Sequence, residues 1–130
     1  MKKYIKVVGA IILKNDKILC AQRSESMSLP LLWEFPGGKI ELDESPEDAL
    51  VRELKEEMNC DIEVLDKVVT TVHEYDFATI ELTTFYSRLI SDSINLAEHK
   101  QIKWLSAHEL HLLEWAPADI PAVKKIMENA

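Results

Sequence analysis

Residues 4–13 are almost all apolar, the pattern of a strand covered on both faces. Residues 17–22 form a second β-rich run, and Asn15-Asp16 between the two is hairpin-turn chemistry. Farther along, 62–74 and 79–90 alternate apolar and polar positions (Ile80, Leu82, Thr84 and Tyr86 against Glu81, Thr83, Phe85 and Ser87). That alternation predicts two long strands joined near Asp76-Phe77-Ala78. A short strand is expected over 101–105. The period turns helical after Ser45, which reads as an N-cap, with Pro46 at the first helical position and Asp48 as the capping-box acid. Leu50, Val51, Leu54 and Met58 fall on one arc of about 100° and are expected to pack on a sheet, while Glu53, Glu56 and Glu57 face the other way. Asn59, tolerant of the left-handed conformation, is the expected stop. Ser106 and Glu109 form a second capping box opening a short helix through Leu113, and a last helix is expected from about Asp119 to Glu128.

With 130 residues, one domain over 1–130 follows, and strands, helix, strands, helix in one small unit predict an α/β fold, a mixed sheet covered by helices on both sides. Residues 24–32 have no clean period and read as a loop. Gly37 and Gly38 take two of the three glycines and follow a proline, so unusual backbone angles or close approach to a ligand are expected there. The apolar run near the N-terminus resembles a leader with a cysteine at 20. However, Lys14, Asn15, Asp16 and Lys17 interrupt it and Leu19 stands where a small residue would precede cleavage, so a core strand is the expectation. Cys20 and Cys60 show no metal-ligand spacing and read as buried, reduced thiols of a cytoplasmic protein.

Fifteen Lys and Arg against 23 Asp and Glu leave a net charge of −8. Such a balance argues against a non-specific nucleic-acid binder or a protein held at anionic membranes. Residues 39–57 concentrate it, with eight acids against Lys39, Arg52 and Lys55. The pairs Glu53/Glu56 and Glu53/Glu57 stand three and four residues apart on one helix, where like charges repel by a few tenths of a kcal/mol. An ordinary solvated acidic face is one reading. The other is a hard divalent cation, Mg²⁺ or Mn²⁺, which takes oxygen ligands and keeps waters for substrate phosphates, with a carbonyl from Gly38 as a further ligand.

Gly38, five residues, Glu44, seven residues, then Arg52-Glu53-Leu54-Lys55-Glu56-Glu57 resembles the Nudix box, residues 38–60, the signature of the Nudix hydrolases. It departs at the last two positions, with Asn59 for glycine and Cys60 for an aliphatic residue. Arg23, the segment Trp33-Glu34-Phe35-Pro36-Gly37-Gly38-Lys39 and Glu98 resemble the MutT branch, and Ala116-Pro117-Ala118-Asp119-Ile120-Pro121 is similar to its CTP pyrophosphohydrolases. The resemblance implies an α/β/α sandwich and metal-dependent hydrolysis of nucleoside triphosphates to monophosphate and pyrophosphate. It implies Mg²⁺ or Mn²⁺ on Glu53, Glu56, Glu57, Glu98 and the Gly38 carbonyl, with Glu53 or Glu98 taking a proton from water. Glu44 and Arg52 would orient the glutamates, and Arg23 and Lys39 would neutralise phosphate oxygens.

For the base, Phe35 is a candidate for stacking and Asp119 for accepting from an exocyclic amine or a ring N–H. Each also has a plain structural reading, Phe35 and Trp33 as core and Asp119 as an N-cap. An amide is the branch's familiar reader of oxidised guanine at the Asp119 position. ADP-ribose or a dinucleoside polyphosphate, with Tyr75 or Phe77 stacking a second base, is the alternative substrate class, and a non-catalytic nucleotide sensor the alternative outside enzymes. Trp104 and Trp115 are expected to pack, His73, His108 and His111 to lie at the surface, and His99 at most to support a ligand next to it. A monomer or homodimer is expected.

Overall fold

The computed structural model describes residues 2–91 and 93–130; Met1 and Asp92 lie outside the described residues. The strands are β1 (Lys3–Lys14), β2 (Lys17–Gln22), β3 (Trp33–Glu34), β4 (Gly37–Lys39), β5 (Ile62–Glu74), β6 (Ala78–Leu89) and β7 (Gln101–Leu105), and the helices α1 (Pro46–Met58) and α2 (Ile120–Glu128). All seven strands join one mixed sheet, ordered β3-β2-β1-β6-β5, with β4 on β1 and β7 on β2. β1 runs parallel to β6 from Lys3 opposite Ala78 to Leu13 opposite Arg88. Its continuous apolar stretch is thereby explained, because side chains of both parities are covered. Val8, Ala10 and Ile12 enter one core with Leu50, Leu54 and Met58 of α1, and Ile11 enters the other with Val123 and Ile126 of α2. Helices on both faces of the sheet make the expected α/β/α sandwich.

α1 begins at the Ser45 N-cap the sequence indicates, without the return bond from Asp48 that would complete a capping box. Ser45 Oγ accepts from the Asp48 N–H at 3.1 Å, and Asn59 closes the helix at φ 46°, ψ 42°, its N–H donating to the Lys55 carbonyl. Ala49, Leu50, Leu54 and Met58 are fully buried, but Val51 is 41 % exposed; the buried face is narrower than the arc suggested, with Ala49 filling it from the other side. Ser106 N donates to Glu109 at 2.9 Å, yet the helix it opens, Ala107–Leu112, is a 3₁₀-helix.

The glycine pair needs space and not unusual angles. Neither residue has positive φ, and both belong to β4, with Gly37 opposite Gly9 and Gly38 opposite Val8. A side chain on Gly37 would overlap the Val8 carbonyl. β3 is gripped from the far end of the chain: Trp33 N donates to the Glu114 carbonyl at 2.9 Å and Ala116 N to the Trp33 carbonyl at 2.8 Å. Those bonds carry Trp115 through Asp119 across to Phe35.

Candidate active site

A cavity of about 500 Å³ opens between α1, β4, the 24–32 loop and the segment before α2. From one side Gly38, Arg52, Glu53, Glu56 and Glu57 line it, and from the other Arg23, Phe35 and Asp119. Lys39 also lines it, exposed, while Tyr75 and Phe77 of the β5–β6 turn stand in its wall with rings stacked at 5.1 Å. Every residue expected to bind metal, take the proton or touch substrate, except Glu98, is therefore brought together. Glu98 does not line the cavity and is exposed, although its charge bears on Glu57 and the neighbouring Ala97 N–H donates to the Glu57 carbonyl at 3.2 Å.

Arg52 organises the acidic turn. Its guanidinium makes two bonds to Glu44, at 2.7 and 2.9 Å, one to the Lys39 carbonyl at 2.9 Å and one to Glu56 at 3.2 Å. The fork matches a carboxylate bidentately, and it holds the Glu44 carboxyl below the ordinary glutamate range. Arg52 thus ties the box's first glutamate to its helix and to β4.

Glu53 is held more loosely, its Oε1 3.6 Å from Arg52 Nη1, an ion pair beyond hydrogen-bond distance. Burial raises the Glu53 carboxyl, and neighbouring Glu56, Glu41 and Glu44 add to that against Arg52. Burial likewise pushes Glu57 up to about 7, opposed by His99 and reinforced by Glu53, Glu34 and Glu98. Glu57 Oε2 is buried with no hydrogen-bond partner among the described residues. An orphaned buried carboxylate oxygen calls for a missing ion or water. Among the described residues no three His, Cys, Asp or Glu side chains converge as a closed metal cage; Glu56 instead turns to Arg52, its side chain 60 % exposed. A loosely paired Glu53 and an orphaned Glu57 on one side of an open cavity nevertheless suit Mg²⁺, which is held by one or two carboxylates and completed by water and phosphate.

On the other side, Phe35 is 3 % exposed and packs its ring on Trp115 at 4.7 Å, so it is a core residue presenting one surface to the cavity. Asp119 is 5 % exposed. It stands at the N-cap position of α2 without capping it: its Oδ1 accepts from the Phe35 N–H at 3.1 Å, and it makes no side-chain bond to the helix start. Burial first and the Glu34 charge second hold its carboxyl well above the usual aspartate range. Arg23 donates to the Ser28 carbonyl at 2.6 Å, Ser28 Oγ at 3.0 Å and Glu34 at 2.7 Å, fastening the 24–32 loop that forms one wall.

Two of the site's contacts were not foreseen from the sequence. Glu34 holds Arg23 and, through its other oxygen, His99 at 2.8 Å. Tyr75 Oη accepts from the Ala118 N–H at 2.9 Å, tying the β5–β6 turn to the segment carrying Asp119. A charged residue between the buried aromatics Trp33 and Phe35 was the available signal for Glu34. Trp115 packs as expected, Trp33 is buried in the core, and His108 and His111 are exposed.

A NUDIX domain model matches residues 3–126. The CTP pyrophosphohydrolase of Escherichia coli (strain K12) is 39 % identical over 125 residues, covering 96 % of this chain and 93 % of that protein. The 8-oxo-dGTP diphosphatase of the same organism is 31 % identical over 132 residues, covering 97 % and 98 %. The solution NMR structure of DNA mismatch repair protein MutT (family Nudix hydrolase) from methicillin-resistant Staphylococcus aureus 252 is similar at TM-score 0.82, with 62 % identity and all of both chains covered.

Proposed function

The chain belongs to the NUDIX family, and from that premise we propose that it hydrolyses (deoxy)nucleoside triphosphates to nucleoside monophosphate and pyrophosphate, clearing modified nucleotides of the 8-oxo-dGTP or CTP/dCTP type in the cytoplasm. The observation that carries this reading is one cavity holding Glu53 and the orphaned Glu57 carboxylate on one side and Arg23, Phe35 and Asp119 on the other. The relatives named for CTP and 8-oxo-dGTP support the substrate class, and two buried free thiols suit a reducing compartment. No helix among the described residues is long and apolar enough to cross a membrane.

Nudix hydrolases generally need a divalent metal. Glu53 and Glu57 would hold Mg²⁺ or Mn²⁺ here, with Glu56, Glu98 and the Gly38 carbonyl as further ligands. The ion supplies charge neutralisation at the phosphates and acidifies water. Glu53, which lines the cavity where Glu98 does not, takes the proton as water attacks. Arg52 keeps the glutamate-bearing turn in place, and Lys39 and Arg23 offer positive charge to phosphate oxygens. Asp119, buried and held by Phe35 N–H, addresses a base N–H such as a cytosine amine. Positioning and electrostatics suffice, and no covalent nucleophile is required.

Pyrophosphate release from a panel including CTP, dCTP and 8-oxo-dGTP with Mg²⁺ tests the reading. The wild type turns over at least one, and Glu53→Gln loses about 10²–10⁴ in kcat; no turnover of any triphosphate overturns it. Phe77, 52 % exposed beside the cavity, favours as second reading a substrate with a further base or ribose, such as a dinucleoside polyphosphate or ADP-ribose, which a higher kcat/KM on those compounds would establish.

A further inference from the structure

We propose that Glu34 is a positioning residue for the nucleotide, braced by His99, and that the chain His99–Glu34–Arg23 aims the arginine and the 24–32 loop at the substrate. The inference rests on the triphosphate reading for the identity of the bound nucleotide.

Glu34 divides its carboxylate between two partners. Oε1 accepts from Arg23 at 2.7 Å and Oε2 meets His99 Nε2 at 2.8 Å. An ionised carboxylate only accepts, so His99 Nε2 carries a hydrogen. The three side chains are largely withdrawn from water, at 17 % exposure for Arg23, 18 % for Glu34 and 3 % for His99. Surface screening therefore does little to weaken the contacts. Each link is fixed by backbone. Glu34 is in register with Ala21 of β2, and Lys100, next to His99, donates its N–H to the Gln22 carbonyl at 2.9 Å. Arg23 continues the same strand end.

The consequence falls on Arg23. Alone, an arginine at the end of a strand samples many rotamers. Here Glu34 takes one edge and Ser28 two donors, so the guanidinium is committed in advance to one face of the cavity. Preorganisation of that kind lowers the ordering cost of binding. Glu34 itself lines the cavity together with Arg23. His99 touches neither the cavity nor Arg23; it works through Glu34.

The test is the dissociation constant of CMP and of 8-oxo-dGMP, measured calorimetrically without metal, beside kcat and KM for the triphosphates. Glu34→Gln and His99→Leu are expected to weaken monophosphate binding and raise KM about tenfold with kcat within about threefold, whereas His99→Gln, whose amide N–H still reaches a carboxylate, recovers most of the affinity. A purely structural network predicts lower Tm with unchanged affinity in the folded variants, and that result overturns the proposal. His99→Leu and His99→Gln decide the matter should Glu34→Gln not fold. Wild type that binds a monophosphate but hydrolyses no triphosphate refutes the hydrolase reading and leaves this inference standing; wild type that binds neither refutes the inference.

Discussion

The Glu53 carboxylate rests where a side chain on Gly38 would have to be: a Cβ built on that glycine overlaps both carboxylate oxygens. Gly37 is barred from a side chain by something stiffer, the carbonyl of Val8 on the paired strand. The two glycines are thus required for different reasons. Gly38→Ala pushes a mobile side chain aside, and misplacement of a reacting group by about 1 Å costs on the order of 10² in rate. Gly37→Ala must move backbone and is expected to cost about 2–3 kcal/mol of stability. Thermal melts together with kcat separate them: Gly38→Ala keeps its Tm and loses turnover, and Gly37→Ala loses Tm first.

Glu57 yields a metal prediction that does not depend on turnover. Its Oε2 is buried and unpartnered, so without a cation the carboxylate is a burden on the fold. Mg²⁺ at about 100 times its Kd stabilises the wild type by about 2.7 kcal/mol, a rise of several degrees that EDTA reverses. In Glu57→Gln the metal-free Tm equals or exceeds that of the wild type, and the Mg²⁺ response disappears. A variant that still gains the full shift with Mg²⁺ would remove Glu57 from the ligand set.

The elements were legible because local chemistry agreed with tertiary demand. Ser45, Pro46 and Asn59 bound α1 within a residue, and the apolar run of β1 foretold its burial on both faces. Legible too was the glutamate constellation, since helical spacing alone groups Glu53, Glu56 and Glu57. What escaped is non-local. The two-residue β3 and three-residue β4 are too short to show a period. Asp119 was ambiguous between cap and site because its partner, the Phe35 N–H, lies 84 residues away. Glu34 showed only as a charge between two buried aromatics, and the pairing of β2 with β3 is what sets it between Arg23 and His99.

The departure of Asn59 from the family's glycine is a matter of backbone and not of chemistry. Asn59 holds φ 46°, and Cys60 N–H reaches back to the Leu54 carbonyl at 3.5 Å, closing the helix. Asn59→Gly should stabilise by about 0.5 kcal/mol, and Asn59→Ala should cost about 1 kcal/mol. Asn59 is exposed and outside the cavity lining, so kcat/KM stays within about twofold of wild type in either variant. Chemical denaturation and steady-state kinetics at one temperature check both statements. A large fall in turnover for Asn59→Gly would mean that the helix end sets the position of Glu57.

Asp119 gives a stability profile whose sign can be worked out. Its folded-state carboxyl titrates well above the usual range because it is buried and faces Glu34. Between the unfolded value, about 3.9, and the folded one, the native state binds more protons than the unfolded state. Stability contributed at this position therefore falls as pH rises through that window. Below about pH 4 the cost is absent, because both states hold the proton. Asp119→Asn keeps an oxygen to accept the Phe35 N–H and has no charge to bury. The variant should match wild type near pH 4 and exceed it by on the order of 1–3 kcal/mol at neutral pH. Urea unfolding across that range measures the gap, and a gap that stays constant or closes with rising pH would show that Asp119 is ionised at little cost, with Arg23 as its counter-charge.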